Sequence, residues 1–505
     1  MTPEAAETSK APAKVRTVMA GALLAMVLAA LDQNIVNTAL PRIAADLGGM
    51  AHLSWVVTAF MLTGTTTTPL YGKMSDLFGR RRLFFVAILV FLAGSLLCGA
   101  AQSMGQLIGF RALQGLGAGG LLTLSQAAVG DVIAPRDRPR YQGLFTGTFA
   151  LSSVAGPLLG GLITSALSWR WVFYVNLPVG ALALLMIALG LRRQAPSKVV
   201  RQIDYAGAVL LAGLTTALLL WLAWGGAEFD WVSWPSAGLL LTVVGLFGAL
   251  IWHERRSVEP LIRLSLFRNP IYARGVAVSG MLTFAMLGST VFLPLYFQLV
   301  LGMDPAVAGA MMLPQVAGML LTSVIGGHFV AKSGRNRPFL LAGIGLEGLA
   351  LVSLGVFAYV AAAPAVFLIS MGMLGLGMGM GMPNLTVAVQ NAVAHRDLGV
   401  AMGAMTFVRS LGGAVGVAAS GAIMAARLGT ATAGSGLDLR SLAERGLNGA
   451  LQLTEAQQAA VSSAYRTALT GCFVMSGVVM VFAFTLVFGL AEQTLRSGVE
   501  DAAGR

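Results

Sequence analysis

Leu31-Asp32-Gln33-Asn34-Ile35-Val36-Asn37-Thr38 lies inside a long apolar run, Val18 to Leu40. A carboxylate at the centre of a bilayer costs about 2.5–3.5 kcal/mol on insertion scales. At ~100° per residue, Asp32, Gln33, Asn34, Asn37 and Thr38 spread over most of a helix circumference. A lipid-facing helix would not keep such an arc, so this one is expected to line a protein or water-filled interior. An acid at that depth marks a functional site by default. The plainer alternative is a structural ion pair, or a polar patch gripping a neighbour.

The 505-residue chain as a whole has the composition of a bilayer protein. It is 56% hydrophobic and 11% charged, with a mean hydropathy of +0.79, whereas soluble domains carry about 25% charged residues. The net charge of +12 does not point to nucleic acid, because the basic residues fall in short breaks between apolar runs. Cys98 and Cys472 sit within apolar runs and imply neither a disulfide framework nor a metal site. His52, His253, His328 and His395 are scattered without metal-ligand spacing, so no metal or organic cofactor is expected. Met1 to Lys14 is polar and lacks the layout of a signal peptide; it reads as a short disordered cytoplasmic tail.

A helical span needs about 20 apolar residues. Fourteen candidates follow, at roughly 16–40, 52–72, 83–101, 106–130, 141–166, 170–191, 205–224, 234–252, 271–300, 306–330, 337–358, 364–388, 399–426 and 468–491. Arg42, Arg170, Arg427, Arg440, Arg445 and Arg466 are the basic residues of one side, and Arg111 and Arg409 lie within spans. The rest of the 33 Lys and Arg fall on the other side, so both termini are expected in the cytoplasm and the membrane to be the inner, or plasma, membrane. Trp221, Trp224, Trp231 and Trp234 flank an outer loop as an interfacial belt would. Leu261 to Arg268 reads as a short amphipathic surface helix. The long outer segment 427–466 carries a candidate capping box, Thr454 with Gln457, opening a helix through Tyr465.

The chain repeats itself. Gly72…Gly79-Arg80-Arg81-Arg82 follows the second span, and Gly327…Gly334-Arg335-Asn336-Arg337 follows the tenth. The fold class this predicts is an all-α integral membrane protein, two six-helix bundles plus two inserted helices, 14 transmembrane helices in all. The divisions are a tail (1–14), a first bundle (15–192), a linker with the inserted pair (193–260), a second bundle (261–495) and a tail (496–505). Paired bundles with a site between them near the midplane are a transporter architecture.

Other buried charges and breakers extend the pattern. Arg111, with Gln114 and Gly115 on the fourth span, is the economical partner for Asp32, since each offsets the other's desolvation; a static lock is the alternative. The glycines after it match G-x-G-x-x-G in form but lie within a span, not after a strand. Gly156-Pro157 and Gly160-Gly161 interrupt the fifth span, as a hinge or simply for close packing. Glu347, mid-span, is either an inter-helix anchor or a second proton or cation site, and Arg409 is a further candidate.

Together these stretches resemble the major facilitator superfamily, in its fourteen-span drug:proton antiporter family. Gly72…Asp76…Gly79-Arg80-Arg81 resembles the signature between spans 2 and 3, Arg111…Gln114-Gly115 the proton-relay motif, and Gly156-Pro157…Gly160-Gly161 the antiporter motif. Leu31-Asp32…Asn37…Pro41, Trp169-Arg170…Asn176…Pro178, Pro294…Gln298 and Arg409…Gly412-Gly413 extend it. The resemblance implies that Asp32, Arg111, Asn37, Gln114 and Arg409 serve proton coupling or substrate, to which the buried charge of Glu347 adds a further candidate. It implies that Gly72, Asp76, Gly79, Arg80, Arg82 and the span 5 motif serve gating, with Arg80 to Arg82 meeting anionic lipid. Ala331 stands where the first repeat has Asp76, so only the first loop can make that carboxylate's contacts.

The expected activity is proton-driven export of small hydrophobic, cationic compounds by a monomer, with the proton gradient as the energy source and no cofactor. A dedicated exporter of a lipid, peptide or self-made antibiotic is the alternative on the same fold. A membrane-embedded enzyme is a remote one, because no catalytic cluster appears at either membrane face.

Overall fold

Pro3 opens a helix that runs without a break to Leu47, in a computed structural model that describes residues 3–48, 53–191, 204–226, 228–432, 454–490 and 492. The backbone of 3–14 therefore extends the first helix instead of forming the expected disordered tail; its Ala, Glu and Lys residues are good helix formers. Among the described residues fourteen long helices follow one another: α1 (Pro3–Leu47), α2 (Leu53–Phe78), α3 (Arg80–Gly99), α4 (Met104–Val132), α5 (Arg138–Ala166), α6 (Asn176–Gly190), α7 (Tyr205–Trp224), α8 (Trp234–Glu254), α9 (Pro270–Thr290), α10 (Leu313–Ser333), α11 (Arg337–Tyr359), α12 (Pro364–Asn391), α13 (Leu398–Thr432) and α14 (Glu455–Phe488). Among the described residues thirteen helices are long and apolar enough to cross a membrane. The remaining expected span, 52–72, is present as α2, whose run Thr65 to Thr68 lowers its hydropathy.

Local chemistry sets the helix starts. Ser103, Asp204, Ser233 and Asn269 cap α4, α7, α8 and α9 by accepting a backbone N–H of the first turn. Thr454 and Gln457 form the expected capping box, but the helix they open continues past Tyr465 to Phe488 as all of α14. The predicted span 271–300 ends earlier, at Thr290; Leu293–Leu299 and Pro305–Ala310 are short helices leading to α10. Leu261 to Arg268 is not an amphipathic α-helix: Leu261 is buried and only Leu264–Arg268 coils, as one 3-10 segment.

The repeat seen in the sequence is a repeat of packing. Thr67 Oγ1 of α2 donates to the Leu116 carbonyl of α4 at 3.2 Å, and Thr322 of α10 donates to Leu376 of α12 at 2.9 Å. Thr68 and Ser323, the next residues, reach the carbonyls of Gly119 and Gly379, each at 3.3 Å. Gly79 and Gly334 both take the left-handed backbone, at φ 90° and 69°, where a side chain would be strained. Helices α1–α6 pack around α1 and α4, and α9–α14 around α12 and α13. The two bundles meet along α2 against α13 and along α5 against α10.

The inserted pair α7–α8 sits over the α2–α13 seam. Leu211 and Leu214 of α7 and Leu250 of α8 cluster with Phe407 of α13, while Trp224 of α7 meets Trp55 of α2 edge-on at 6.1 Å. At the other end of the pair, His253 Nε2 lies 2.7 Å from Asp204 Oδ1. Burial pushes the Asp204 carboxyl up, but the Gly207 N–H, His253 and Ser257 outweigh it and hold it below its usual range. The chain then returns across the seam. Glu259 pairs with Lys73 of α2, and Arg263 Nη1 pairs with Asp397, just before α13, at 2.5 Å.

Candidate functional site

Asp32 is fully buried in the first bundle, and its environment is built by four helices and a turn. Arg111 Nη1 of α4 donates to Asp32 Oδ2 at 2.6 Å, and Gln114 Nε2, one turn on, donates to Oδ1 at 2.8 Å. Asn176 Nδ2, at the start of α6, donates to the same Oδ1 at 2.8 Å. Three donors to one carboxylate, two of them neutral, fix its position and saturate it. Arg111 also gives Nη1 to Gln114 Oε1 at 2.7 Å and Nε to the Val56 carbonyl of α2 at 3.2 Å. Its guanidinium lies 4.0 Å from the Phe60 ring centroid, a cation–π contact. Ser95 of α3 holds Asn176 from behind, accepting from it at 3.0 Å and donating to the Phe173 carbonyl at 2.8 Å. Leu31, Ile35, Val36, Leu107 and Phe173 form the apolar shell around the pair.

Asp32, Arg111 and Gln114 are thus brought together, whereas the other three proposed partners are not. Asn37 is exposed: five residues at ~100° each put it roughly 140° around α1 from Asp32. Glu347 lies in the second bundle, buried between α11 and α12, with Oε2 lacking a hydrogen-bond partner. Arg409 lies on α13, its Nη2 donating to Thr386 Oγ1 of α12 at 3.3 Å. Asn176 was read only as part of a stretch of resemblance; an amide within an apolar span was the signal that it faced a buried polar group.

A second constellation closes the end of the molecule that carries Lys73, Arg80, Arg136 and Arg138, called here the basic end. Asp76, at the end of α2, accepts the Gly399 N–H at 3.0 Å and the Val400 N–H at 2.9 Å, two orphan donors of the first turn of α13. Arg80 Nη2 lies 3.1 Å from Asp76 Oδ1 and 3.1 Å from Asp131 Oδ1 of α4. Arg80 Nη1 also donates to Ser75 Oγ at 2.8 Å. Asp76 can reach α13 because α2 and α13 cross at glycines: a Cβ on Gly72 would strike the Gly399 carbonyl and meet Gly403. Arg136 donates to the carbonyls of Ala331 at 3.0 Å and Lys332 at 3.2 Å, capping the last turn of α10. Arg138 Nη1 reaches Asn391 Oδ1 at 3.2 Å, and Gln390 Nε2 reaches the Gln126 carbonyl at 3.0 Å. In the second loop copy Ala331 offers its backbone carbonyl to Arg136, and Arg335 pairs with Glu492 near the end of the chain's second bundle. Arg82 is exposed.

The span 5 motif divides in two. Gly156 and Gly160 press against Asn34 and Ile35 of α1, while Pro157 is exposed and a Cβ on Gly161 would meet open space. Helix α5 is assigned unbroken through Pro157, so the proline does not interrupt it as expected.

This architecture has relatives. The profile of the Major Facilitator Superfamily matches residues 22–417. The chain is 36% identical over 416 residues to the multidrug transporter protein MdtP of Bacillus subtilis, covering 81% of this chain and 75% of that one. It is 34% identical over 417 residues to multidrug resistance protein 3 of the same organism, covering 82% and 81%. Among solved structures, the proton:xylose symporter XylE superposes with a TM-score of 0.62 at 16% identity, covering 96% of this chain and 98% of that one, a likeness of fold. With its repeated bundles, its glycine crossing and its buried acid on α1, the chain belongs to the Major Facilitator Superfamily.

Proposed function

We propose that the chain exports hydrophobic small molecules from the cytoplasm, coupled to proton entry, by alternating access between its two bundles. The observation that carries this reading is the Asp32 centre, an ionisable pair at membrane depth held within one bundle and not used to join it to the other. Arg111, Gln114 and Asn176 all donate to the Asp32 carboxylate. A shift of α4 or α6 against α1 strips donors from it and opens the acid to a proton. The Lys/Arg bias puts the basic end in the cytoplasm. The Asp76, Arg80 and Arg136 contacts then close the inner side, and the arrangement is the one that loads protons from outside. Arg82 is placed to meet anionic lipid at that surface. Gly156 and Gly160 serve as the close-packed pivot of α5 on α1. No cofactor is required, and a monomer holds the whole site.

The membrane potential supplies about 2.3 kcal/mol per charge per 100 mV. At 1.4 kcal/mol per tenfold, one proton supports a roughly 40-fold gradient of a neutral compound. A monovalent cation exchanged one for one gains only from the pH difference. Cationic compounds, the class an intramembrane acid suggests, reach Asp32 only once Arg111 withdraws. Glu347 is a second proton-carrying position if the stoichiometry exceeds one.

The names of the Bacillus relatives support export of drug-like compounds. The test is purified protein in proteoliposomes under an imposed pH gradient, with a panel of neutral and charged fluorescent drugs. Uphill movement of at least one compound, abolished by a protonophore, is the expected result; flux indifferent to the gradient sinks the coupling.

A further inference from the structure

Arg409, well inside α13, has no anionic partner among the described residues. Arg111 has Asp32. Arg409 has only the Thr386 hydroxyl, on Nη2 at 3.3 Å, and its Nε is buried with no hydrogen-bond partner.

Its placement on α13 points it inward. Gly399 and Gly403 face α2, Gly412 and Gly416 face α9 at Gly280 and Phe284, and Phe407 and Leu411 pack under α7 and α8. Arg409 is two residues from either Phe407 or Leu411, hence about 200° round the helix and opposite the inserted pair. Thr386 on α12, its partner, confirms that side. About one turn away along their helices, Thr406 Oγ1 on α13 and Gln390 Oε1 on α12 are likewise buried without a hydrogen-bond partner.

Neither acid at this depth can neutralise Arg409. Asp32 already has Arg111 as its countercharge, with two amide donors of the same bundle. Glu347 has its backbone against Gly377 of α12. Gly377 is nine residues from Thr386, about 13 Å along the helix. A half-buried guanidinium left without an anion is costly, and its planar fork matches a carboxylate, sulfonate or phosphate.

We propose that Arg409, with the Thr386 hydroxyl, binds an anionic group on the transported compound, so that hydrophobic acids are a substrate class of this protein. The inference rests on the exporter reading and deepens it. Substrate and proton then occupy different bundles: the acid's negative charge sits on α13, and the proton sits on α1. A headgroup of an anionic lipid carries the same chemistry and is the alternative source.

The test is binding to protein in phosphatidylcholine nanodiscs, with empty nanodiscs subtracted. The probes are 1-anilinonaphthalene-8-sulfonate and N-phenyl-1-naphthylamine, the same ring system without the sulfonate. Wild type should bind the sulfonate more tightly. Arg409→Gln should weaken the sulfonate at least about tenfold and leave the neutral probe within about twofold. Arg409→Lys, which keeps the charge and loses the fork, should fall between, and it carries the test if the glutamine variant does not fold. Equal weakening of both probes, or a wild type indifferent to the sulfonate, overturns the proposal. Phosphatidylglycerol that displaces the sulfonate from wild type but not from Arg409→Lys or Arg409→Gln assigns the site to lipid and overturns the substrate role. Because binding needs no gradient, sulfonate selectivity without proton-driven flux would sink the exporter reading alone.

Discussion

Asp32 and Arg111 are each 1% exposed or less, and among the described residues each is the other's only countercharge. Removing one partner of a buried pair costs roughly 3–5 kcal/mol. Asp32→Asn should cost less, because the amide oxygen still accepts from Gln114 or Asn176. That variant should reach the membrane and bind neutral compounds, while uphill proton-driven transport is lost, since an amide carries no proton. A mere structural lock predicts otherwise: Asp32→Asn with Arg111→Gln would leave no orphan charge and restore transport. Full uphill flux by the double variant in proteoliposomes would refute the proton-carrier role. The pair was legible in the sequence because a charge inside an apolar run is costly and needs an answer. Asn37 misled because polarity in a one-dimensional stretch does not say which arc of the helix faces the partner. The isolation of Arg409 was illegible, since the lack of a neighbour is a property of packing.

At the scale of elements, the crossing of α2 and α13 is the most demanding contact between the bundles. It joins Gly72 to Gly399 and Gly403, and it delivers Asp76 to the first N–H groups of α13. Asp76→Asn keeps the size but gives up charge, and an amide cannot accept at both positions. It should lower transport several-fold more than Lys332→Gln in the other repeat, where Ala331 holds the matching place and contributes only its carbonyl. Equal transport rates at equal expression would count against an asymmetric gate. The helices themselves were readable from apolar length and caps, and the repeat from Gly72, Gly79 and their copies. Errors came where apolarity outran helicity: Leu293 to Leu299 is apolar enough to extend α9, yet the chain turns after Thr290. The capping box at Thr454 and Gln457 showed where α14 starts, but its polar first turns did not show that the helix runs on past Tyr465 into the span.

The whole molecule has one end rich in Lys and Arg and one end poor in them, and the inserted pair lies across its seam. Single cysteines at Gln102 and Ser197, in a chain lacking Cys98 and Cys472, should report opposite sides. Gln102 should label in intact cells and Ser197 only after permeabilisation; the reverse would overturn the orientation. The inserted pair supports a further expectation about the same end. The chain leaving α8 is pinned to the first bundle by Lys73–Glu259 and to the second by Arg263–Asp397, so it straps the two together where Asp76 already docks. Opening the basic end requires at least one of those ion pairs to part. Each is partly exposed and worth about 1 kcal/mol at most, which is a roughly fivefold change in the ratio of closed to open forms. Glu259→Gln and Asp397→Asn should therefore each open the basic end modestly, and together more. Helices α5 and α10 touch there, with Gly327 against Pro139 and Arg140. Cysteines at Arg140 and His328 should thus cross-link readily in the parent chain and less in each variant. A cross-linking yield unchanged by both substitutions would mean that the strap follows the bundles passively and does not bias them.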